Sequence, residues 1–122
     1  MDFEHSASKK WFTQLGLSPK KTFYKRPKTF EEGADDVNNI IKKFEFAKKN
    51  DKKFENKLLY ILVDSGTKMC PAAVSENKLD KANFGLQAKL MSDWMKQLIP
   101  LIGDSHCALM IINQERVVMN PQ

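Results

Sequence analysis

The chain has 122 residues, of which 42% are apolar and 29% are charged, and it carries a net charge of +5. This length suits a single domain, and the composition excludes collagen-like and fully disordered chains. No apolar run is longer than residues 58–63. About 20 apolar residues are needed for a helix to cross a bilayer, so a membrane protein is excluded.

The N-terminal residues and the cysteines predict a cytoplasmic protein with reduced thiols. Met1 is followed by Asp2 and Glu4, so a basic and apolar secretory leader does not open the chain. Cys70 and Cys107 are isolated and form no CxxC pair. Thiols of this kind are expected to stay reduced in the cytoplasm.

The first third of the chain predicts a short helix and a short strand. Apolar residues recur at helical spacing within residues 7–15, Ser6 or Ser8 can cap the start, and Gly16 can end the helix. Residues 22–25 are β-prone and are followed by a proline, which predicts a strand.

A capping box and a buried strand are predicted next. Thr29 and Glu32 have the spacing at which a hydroxyl and a carboxylate each satisfy a free amide at a helix start. The helix that follows carries one apolar stripe: Phe30, Ala34, Val37, Ile41 and Phe44. Residues 58–63 are continuously apolar, which predicts a strand buried on both faces.

The second half predicts a functional loop, a helix and a final strand. Residues 66–83 have little periodicity, and long loops in compact domains are commonly functional. The next helix has its apolar stripe at Leu86, Leu90, Trp94, Leu98 and Ile102. Pro100 is expected to kink or end it near Ile99. Cys107–Ile112 then reads as a second continuously apolar strand.

Strands that alternate with helices predict an α/β fold with a mostly parallel sheet and flanking helices. Three strands end in polar residues, which are Glu4, then Asp64 with Ser65, then Asn113 with Gln114. Ligands of open α/β sheets bind beyond the carboxyl ends of the strands. We therefore expect the functional site at that edge.

Each of these side chains also has an ordinary structural interpretation. An apolar strand that ends in Asp64 resembles a Walker B element, whose carboxylate serves Mg²⁺, but such an aspartate also commonly caps the next helix. Trp11 can stack on a base or pack in the core. The chain contains no G-x-x-x-x-G-K-[ST] phosphate loop, no zinc-ligand spacing and no G-x-S-x-G nucleophile turn.

The charge permits a nucleic-acid partner without requiring one. A basic excess favours contacts with phosphates, but lysines also cover ordinary solvated helix faces. Arg26 and Arg116 are the only arginines. Scarce arginine disfavours base-specific reading, which depends on the bidentate guanidinium.

Taken together, four segments resemble the ATPase core of the RecA family of DNA strand-exchange recombinases. Residues 2–5 (DFEH) resemble its D-x-E-H segment, and residues 62–65 (LVDS) resemble its Walker B strand. Residues 85–92 (GLQAKLMS) resemble the helix after its first DNA-binding loop, and residues 111–116 (IINQER) resemble its I-N-Q-x-R segment. The resemblance runs from Asp2 to about Arg116.

For the nucleotide site, the resemblance implies that Glu4 activates the attacking water and that Gln114 couples the γ-phosphate to the DNA. Asp64 and Ser65 would serve the Mg²⁺ of bound ATP. Trp11 would stack on adenine. Ser8 stands where the family has an aspartate that reads the adenine edge, so adenine selectivity need not follow.

For DNA, the resemblance implies single-stranded binding by two loops. The first falls within residues 65–84, where Asn83 and Phe84 would contact the strand and Phe84 would wedge between bases. Lys89 follows it and would face DNA phosphates. The second loop would begin in residues 115–122, with Arg116 at its start.

The resemblance also implies that residues 1–122 are one incomplete RecA-like core that lacks the P-loop strand and helix. Such a chain is expected to show weak or no ATP hydrolysis alone, because the loop and lysine that hold the phosphates are missing. The complete protein would form filaments with other recombinase subunits, and the exposed edges of the fragment could form a homodimer. The recombinase implied is of bacterial or phage type. The alternative is a P-loop-less RecA-like module that binds DNA or regulates a recombinase, and the third interpretation is an unrelated α/β domain.

Overall fold

The computed structural model describes residues 1–75 and 82–114. In chain order its elements are α1 (Lys9–Gln14), α2 (Phe30–Asn50), β1 (Leu59–Asp64), α3 (Ala72–Ser75), α4 (Ala82–Gly103) and β2 (Cys107–Ile112). Two short 3₁₀ turns, Lys52–Phe54 and Gly66–Lys68, precede and follow β1. The order confirms a small α/β fold.

The described sheet has two parallel strands, with the register running from Leu59 opposite Cys107 to Asp64 opposite Ile112. A third segment lies along the other edge of β1, where Asp2 forms an isolated parallel bridge with Asp64. The Phe3 amide donates to the Asp64 carbonyl at 2.6 Å. The N-terminal segment therefore reaches the carboxyl end of β1.

The core lies between one face of this sheet and the two long helices. Its buried members include Ile61 and Val63 from β1, Val37 and Ile41 from α2, and Trp94 and Leu98 from α4. The indole of Trp94 donates to Asn38 Oδ1 at 3.2 Å, so its polar atom is satisfied inside the core. Most of the apolar stripe predicted for each long helix is confirmed as the packed face. Phe44 instead packs edge to face against Phe54, and Leu86 is half-buried outside the core cluster.

The local start and stop signals are confirmed. The Ser8 hydroxyl accepts from the Trp11 amide at 3.2 Å and caps α1, and Gly16 takes a φ of +86° after that helix. Thr29 caps α2 by accepting from the Glu32 amide at 3.2 Å. The Glu32 carboxylate completes the box on the Lys28 amide, one residue earlier than the usual partner.

Two predictions about strands are wrong. Residues 22–25 form no strand. A hydrogen bond from the Asp2 amide to the Lys25 carbonyl, at 2.9 Å, instead connects this segment to the N-terminal residues. β1 is buried on one face only, since Tyr60 is 59% exposed and Leu62 is 40% exposed. An apolar sequence does not by itself bury both faces of a strand, because each face needs a layer of other elements packed against it.

The alternative in which α4 ends near Ile99 is wrong, because the helix contains Pro100 and continues to Gly103. A proline removes one helical hydrogen bond and crowds the preceding turn. Leu98 is 1% exposed, and Leu101 and Ile102 pack against the core. Burial of these side chains on both sides of Pro100 offsets the lost bond.

Candidate functional site

Glu4 and Ser65, which lie 61 residues apart in sequence, meet at the carboxyl end of β1. The Ser65 hydroxyl donates to Glu4 Oε1 at 3.2 Å and lies 2.9 Å from the Thr67 hydroxyl oxygen. Ser65 is 1% exposed, whereas Glu4 is half-buried. A carboxylate is thereby held next to the strand end but keeps access to solvent.

Asp64 is the last residue of β1 and is half-buried. Its amide donates to the Met1 carbonyl at 2.9 Å, and its carbonyl accepts from Phe3. These bonds fix its backbone on the N-terminal segment. Carboxylate and hydroxyl oxygens at Asp64, Ser65 and Thr67 are hard donors of the kind that Mg²⁺ prefers. Within residues 1–75 and 82–114, no group of three or more His, Cys, Asp or Glu forms a metal cluster.

Asp2 anchors the turn that carries Glu4. It is 4% exposed, and its carboxylate accepts from the Tyr24 hydroxyl at 2.5 Å and from the Ala7 amide at 3.2 Å. Arg26 Nε lies 3.5 Å from the same carboxylate. Burial alone would raise the pKa of Asp2, but hydrogen bonds from Tyr24 and from backbone amides outweigh it and hold the pKa below its ordinary value.

The turn itself requires an uncommon backbone conformation. His5 has a φ of +55°, in the left-handed region that non-glycine residues seldom adopt. The amides of Ser6 and Ala7 on its far side both donate to Asp2. Asp2 therefore stabilises the conformation that places Glu4 beside Ser65.

Gln87 is a site residue that sequence reasoning missed. Its side-chain amide donates to the carbonyls of Met69, Thr67 and Gly66 at 3.0, 3.3 and 3.4 Å. It thus fastens the segment after β1 to α4. One feature of the sequence could have indicated Gln87: it is a polar residue next to the apolar stripe of the helix, between Leu86 and Leu90.

A cavity of about 650 Å³ lies between the strand ends and α4. Thr67, Gln87, Met91 and Asn113 are among its lining residues. Gly66 is also there, and a Cβ at this position would lie 2.8 Å from Ile111 Cγ2. The absence of a side chain at Gly66 therefore allows this segment to lie against β2.

The structure brings only part of the predicted site together. Glu4 and Ser65 are in contact, and Asp64 directly precedes Ser65 at the end of β1. Gln114 is exposed beyond β2, and Asn113 is the member of that pair that lines the cavity. Ser8 caps α1, and Trp11 is 54% exposed, so it is not a core residue.

The predicted DNA contacts are mostly outside the described part. Lys89 is exposed on α4. The side chains of Asn83 and Phe84, the middle of the 65–84 loop and all of residues 115–122, including Arg116, lie outside the described residues. The predicted loop begins with the 3₁₀ turn and α3, which are regular structure. None of the helices described is long and apolar enough to cross a membrane.

Comparison with known proteins identifies similar chains across nearly the whole sequence. The chain is 27% identical to the mitochondrial DNA repair protein recA homolog of Dictyostelium discoideum, over 96% of this chain and 23% of that protein. It is 27% identical to Protein RecA of Desulforapulum autotrophicum, over 96% of this chain and 30% of that protein. It is 28% identical to Protein RecA of Mycoplasma mycoides, over 95% of this chain and 30% of that protein.

The chain therefore spans between about a quarter and a third of the length of these relatives. The model of the RecA N-terminal domain matches residues 1–120. A match of this extent covers the described strands, both long helices and the carboxyl edge of the sheet. The chain belongs to the RecA N-terminal domain family.

Proposed function

We propose that this chain is part of a RecA-type recombinase that binds single-stranded DNA, ATP and Mg²⁺ and promotes strand exchange in recombination and repair. The observation that carries the proposal is the hydrogen bond between Ser65 and Glu4. It places the carboxylate proposed for water activation at the end of the strand that resembles Walker B.

In this proposal Glu4 accepts a proton from the attacking water or orients it. The Asp64 carboxylate and the Ser65 hydroxyl would hold Mg²⁺, which when bound neutralises phosphate charge. Trp11 would stack on adenine with Ser8 near its edge, and Gln114 would respond to the γ-phosphate. The half exposure of Trp11 supports this role, because the ring has a free surface.

Single-stranded DNA would be held by the loops within residues 65–84 and 115–122. Phe84, Asn83, Lys89 and Arg116 are the proposed contacts. Exposure of Lys89 on α4 supports its place there. Partners would be other recombinase subunits in a filament. The chain alone is expected to bind nucleotide weakly and to show weak or no hydrolysis, because it contains no phosphate-binding loop.

A chimera tests the nucleotide site. Residues 1–120 would replace the matched segment of Protein RecA from Mycoplasma mycoides, and DNA-dependent ATP hydrolysis would be measured. We expect turnover in the chimera and a loss of about 100-fold or more in Glu4→Gln, since a positioned base contributes about 10²–10⁴-fold.

Glu55→Gln is the matched control, because Glu55 is an exposed glutamate that precedes the amino end of β1, whereas Glu4 lies at the carboxyl end of that strand. It should keep the turnover of the parent chimera. Equal turnover in the Glu4→Gln and Glu55→Gln chimeras would contradict the assigned role of Glu4. Turnover by the isolated chain that Glu4→Gln abolishes would contradict the need for a phosphate loop.

A further inference from the structure

The positive charge of the chain is concentrated in one segment that the proposed nucleotide site and loops do not explain. Residues 9–28, called the basic segment below, contain seven of the 20 lysines and arginines and none of the 15 acidic residues. The rest of the chain is slightly acidic. The seven cations are Lys9, Lys10, Lys20, Lys21, Lys25, Arg26 and Lys28.

Most of this charge is not neutralised by the fold. Lys25 pairs with Asp36 at 3.2 Å, and Arg26 lies near Asp2. The other five lysines have no ion-pair partner in the part of the chain that the structure describes. Like charges held together without counter-charges favour a polyanionic ligand.

The basic segment folds around a groove with an aromatic floor. The groove has a volume of about 410 Å³, and its lining residues include Lys9, Lys20, Lys25 and Phe23. Phe12 and Tyr24 also line it and pack edge to face with ring centroids 5.2 Å apart. A turn brings Lys20 to the groove, and the Lys21 amide closes that turn by donating to the Ser18 carbonyl at 3.0 Å.

Phe23 distinguishes this surface from an ordinary lysine-rich face. Its side chain is 87% exposed, the largest exposure among the large apolar residues described. Its neighbour Tyr24 is half-buried, and the Tyr24 hydroxyl donates to Asp2. An aromatic ring that faces solvent among lysines matches what unpaired bases require, which is a stacking surface beside cations that contact phosphates.

We propose that the basic segment is a nucleic-acid-binding surface for single strands, with Phe23 stacking on a base and lysines on both sides holding the phosphates. In sequence, the basic segment is separate from residues 65–84 and 115–122. A single strand fits better than a duplex, because stacking needs an unpaired base. An anionic membrane fits less well, because α1 has only six residues and is too short for a helix that lies in the interface.

The test is fluorescence anisotropy of labelled oligothymidine with the purified chain, without ATP or Mg²⁺, over a range of salt concentrations. Phe23→Ala should weaken binding about tenfold, as the loss of one stacked base does. Lys20→Gln with Lys21→Gln should lower the slope of log affinity against log salt by about 1.4, because each single-strand phosphate contributes about 0.7.

Matched controls lie on α2. Phe46 is 69% exposed, and Lys42 and Lys43 are exposed neighbours, so Phe46→Ala and the double change Lys42→Gln with Lys43→Gln remove the same groups elsewhere. We expect both to bind like the parent chain. Thermal melting by circular dichroism establishes that every variant is folded.

Several outcomes would overturn the proposal. Equal loss in the α2 controls would mean that only net charge matters. Binding that survives Phe23→Ala and is lost in Phe84→Ala would assign the DNA contact to the loop alone. Weaker binding to phosphatidylserine vesicles, without weaker DNA binding, in Phe23→Ala would identify a membrane surface. Because nucleotide is absent, none of these results depends on Glu4 or on the chimera.

Discussion

At the scale of single residues, Asp2 connects stability to the position of Glu4. Its buried carboxylate accepts from Tyr24 and from two amides of the turn around His5. Hydrogen bonds to the charged form lower a carboxyl pKa, and a lowered pKa means that the charged form stabilises the fold. The same residue therefore holds the turn and makes stability depend on pH.

Asp2→Asn should lower the free energy of unfolding at neutral pH. It should also make that free energy fall less steeply as the pH is lowered. The folded pKa of Asp2 lies below the ordinary 3.8, so its contribution is complete above that value and is lost as pH falls through the folded pKa. Urea unfolding at a series of pH values below about 5 measures this. Asp104→Asn removes an exposed carboxylate and should leave the neutral-pH stability unchanged. If the free energy of unfolding of Asp2→Asn falls with decreasing pH as steeply as that of the parent, Asp2 contributes nothing to the pH dependence.

At the scale of elements, Gly33 sets how closely α2 approaches the N-terminal segment. A Cβ at this position would lie 2.1 Å from Cζ of Phe3, whose ring is 8% exposed. Phe3 adjoins Glu4, and its amide pairs with Asp64. The glycine thus allows a contact between a helix and the segment that carries the candidate catalytic carboxylate.

Gly33→Ala should lower the free energy of unfolding by about 1–2 kcal/mol, because overpacking costs more than the gain in helix propensity. Gly85→Ala is the matched control in α4, where no atom lies within 4 Å of the added Cβ. It should stabilise the chain by about 0.5–1 kcal/mol. Chemical unfolding of both variants measures the difference. Stabilisation by both changes would contradict the packing of Phe3 on Gly33.

At the scale of the whole molecule, one face of the sheet has no covering layer in the described structure. Tyr60, Leu62, Met110 and Ile112 are each at least 40% exposed on that face. Alternation places these residues opposite the buried Ile61 and Val63. Exposed apolar patches of this kind favour association. The chain spans less than a third of the relatives quoted above.

We expect the chain to self-associate through this face at high concentration, and Leu62→Lys with Met110→Lys should shift it to monomer. Light scattering after size-exclusion chromatography measures the mass. Phe46→Lys with Ile99→Lys places two charges on exposed helix residues and should leave association unchanged. A parent chain that stays monomeric at every concentration would show that the open face does not drive self-association.

The sequence predicted features that depend on near neighbours. The caps at Ser8 and Thr29, the end at Gly16 and the stripe from Val37 to Ile41 all follow from residues within a few positions of each other. Tertiary packing decided whether a proline could remain inside α4 and whether residues 22–25 would pair as a strand. Both depend on contacts with distant parts of the chain.

Some features of the candidate site could likewise be predicted from the sequence, whereas others depend on tertiary contacts. The apolar strand and its terminal Asp64 are evident in the sequence, and the similar strand ends predict that Glu4 lies nearby. The bond from Ser65 to Glu4, the burial of Asp2 on Tyr24 and the attachment of the post-β1 segment by Gln87 join residues 18 to 61 positions apart. Periodicity and capping carry no information about such pairs, because they reflect only the local backbone. Which face of β1 is covered was likewise decided by tertiary structure, since covering it requires a second layer and not only an apolar side chain.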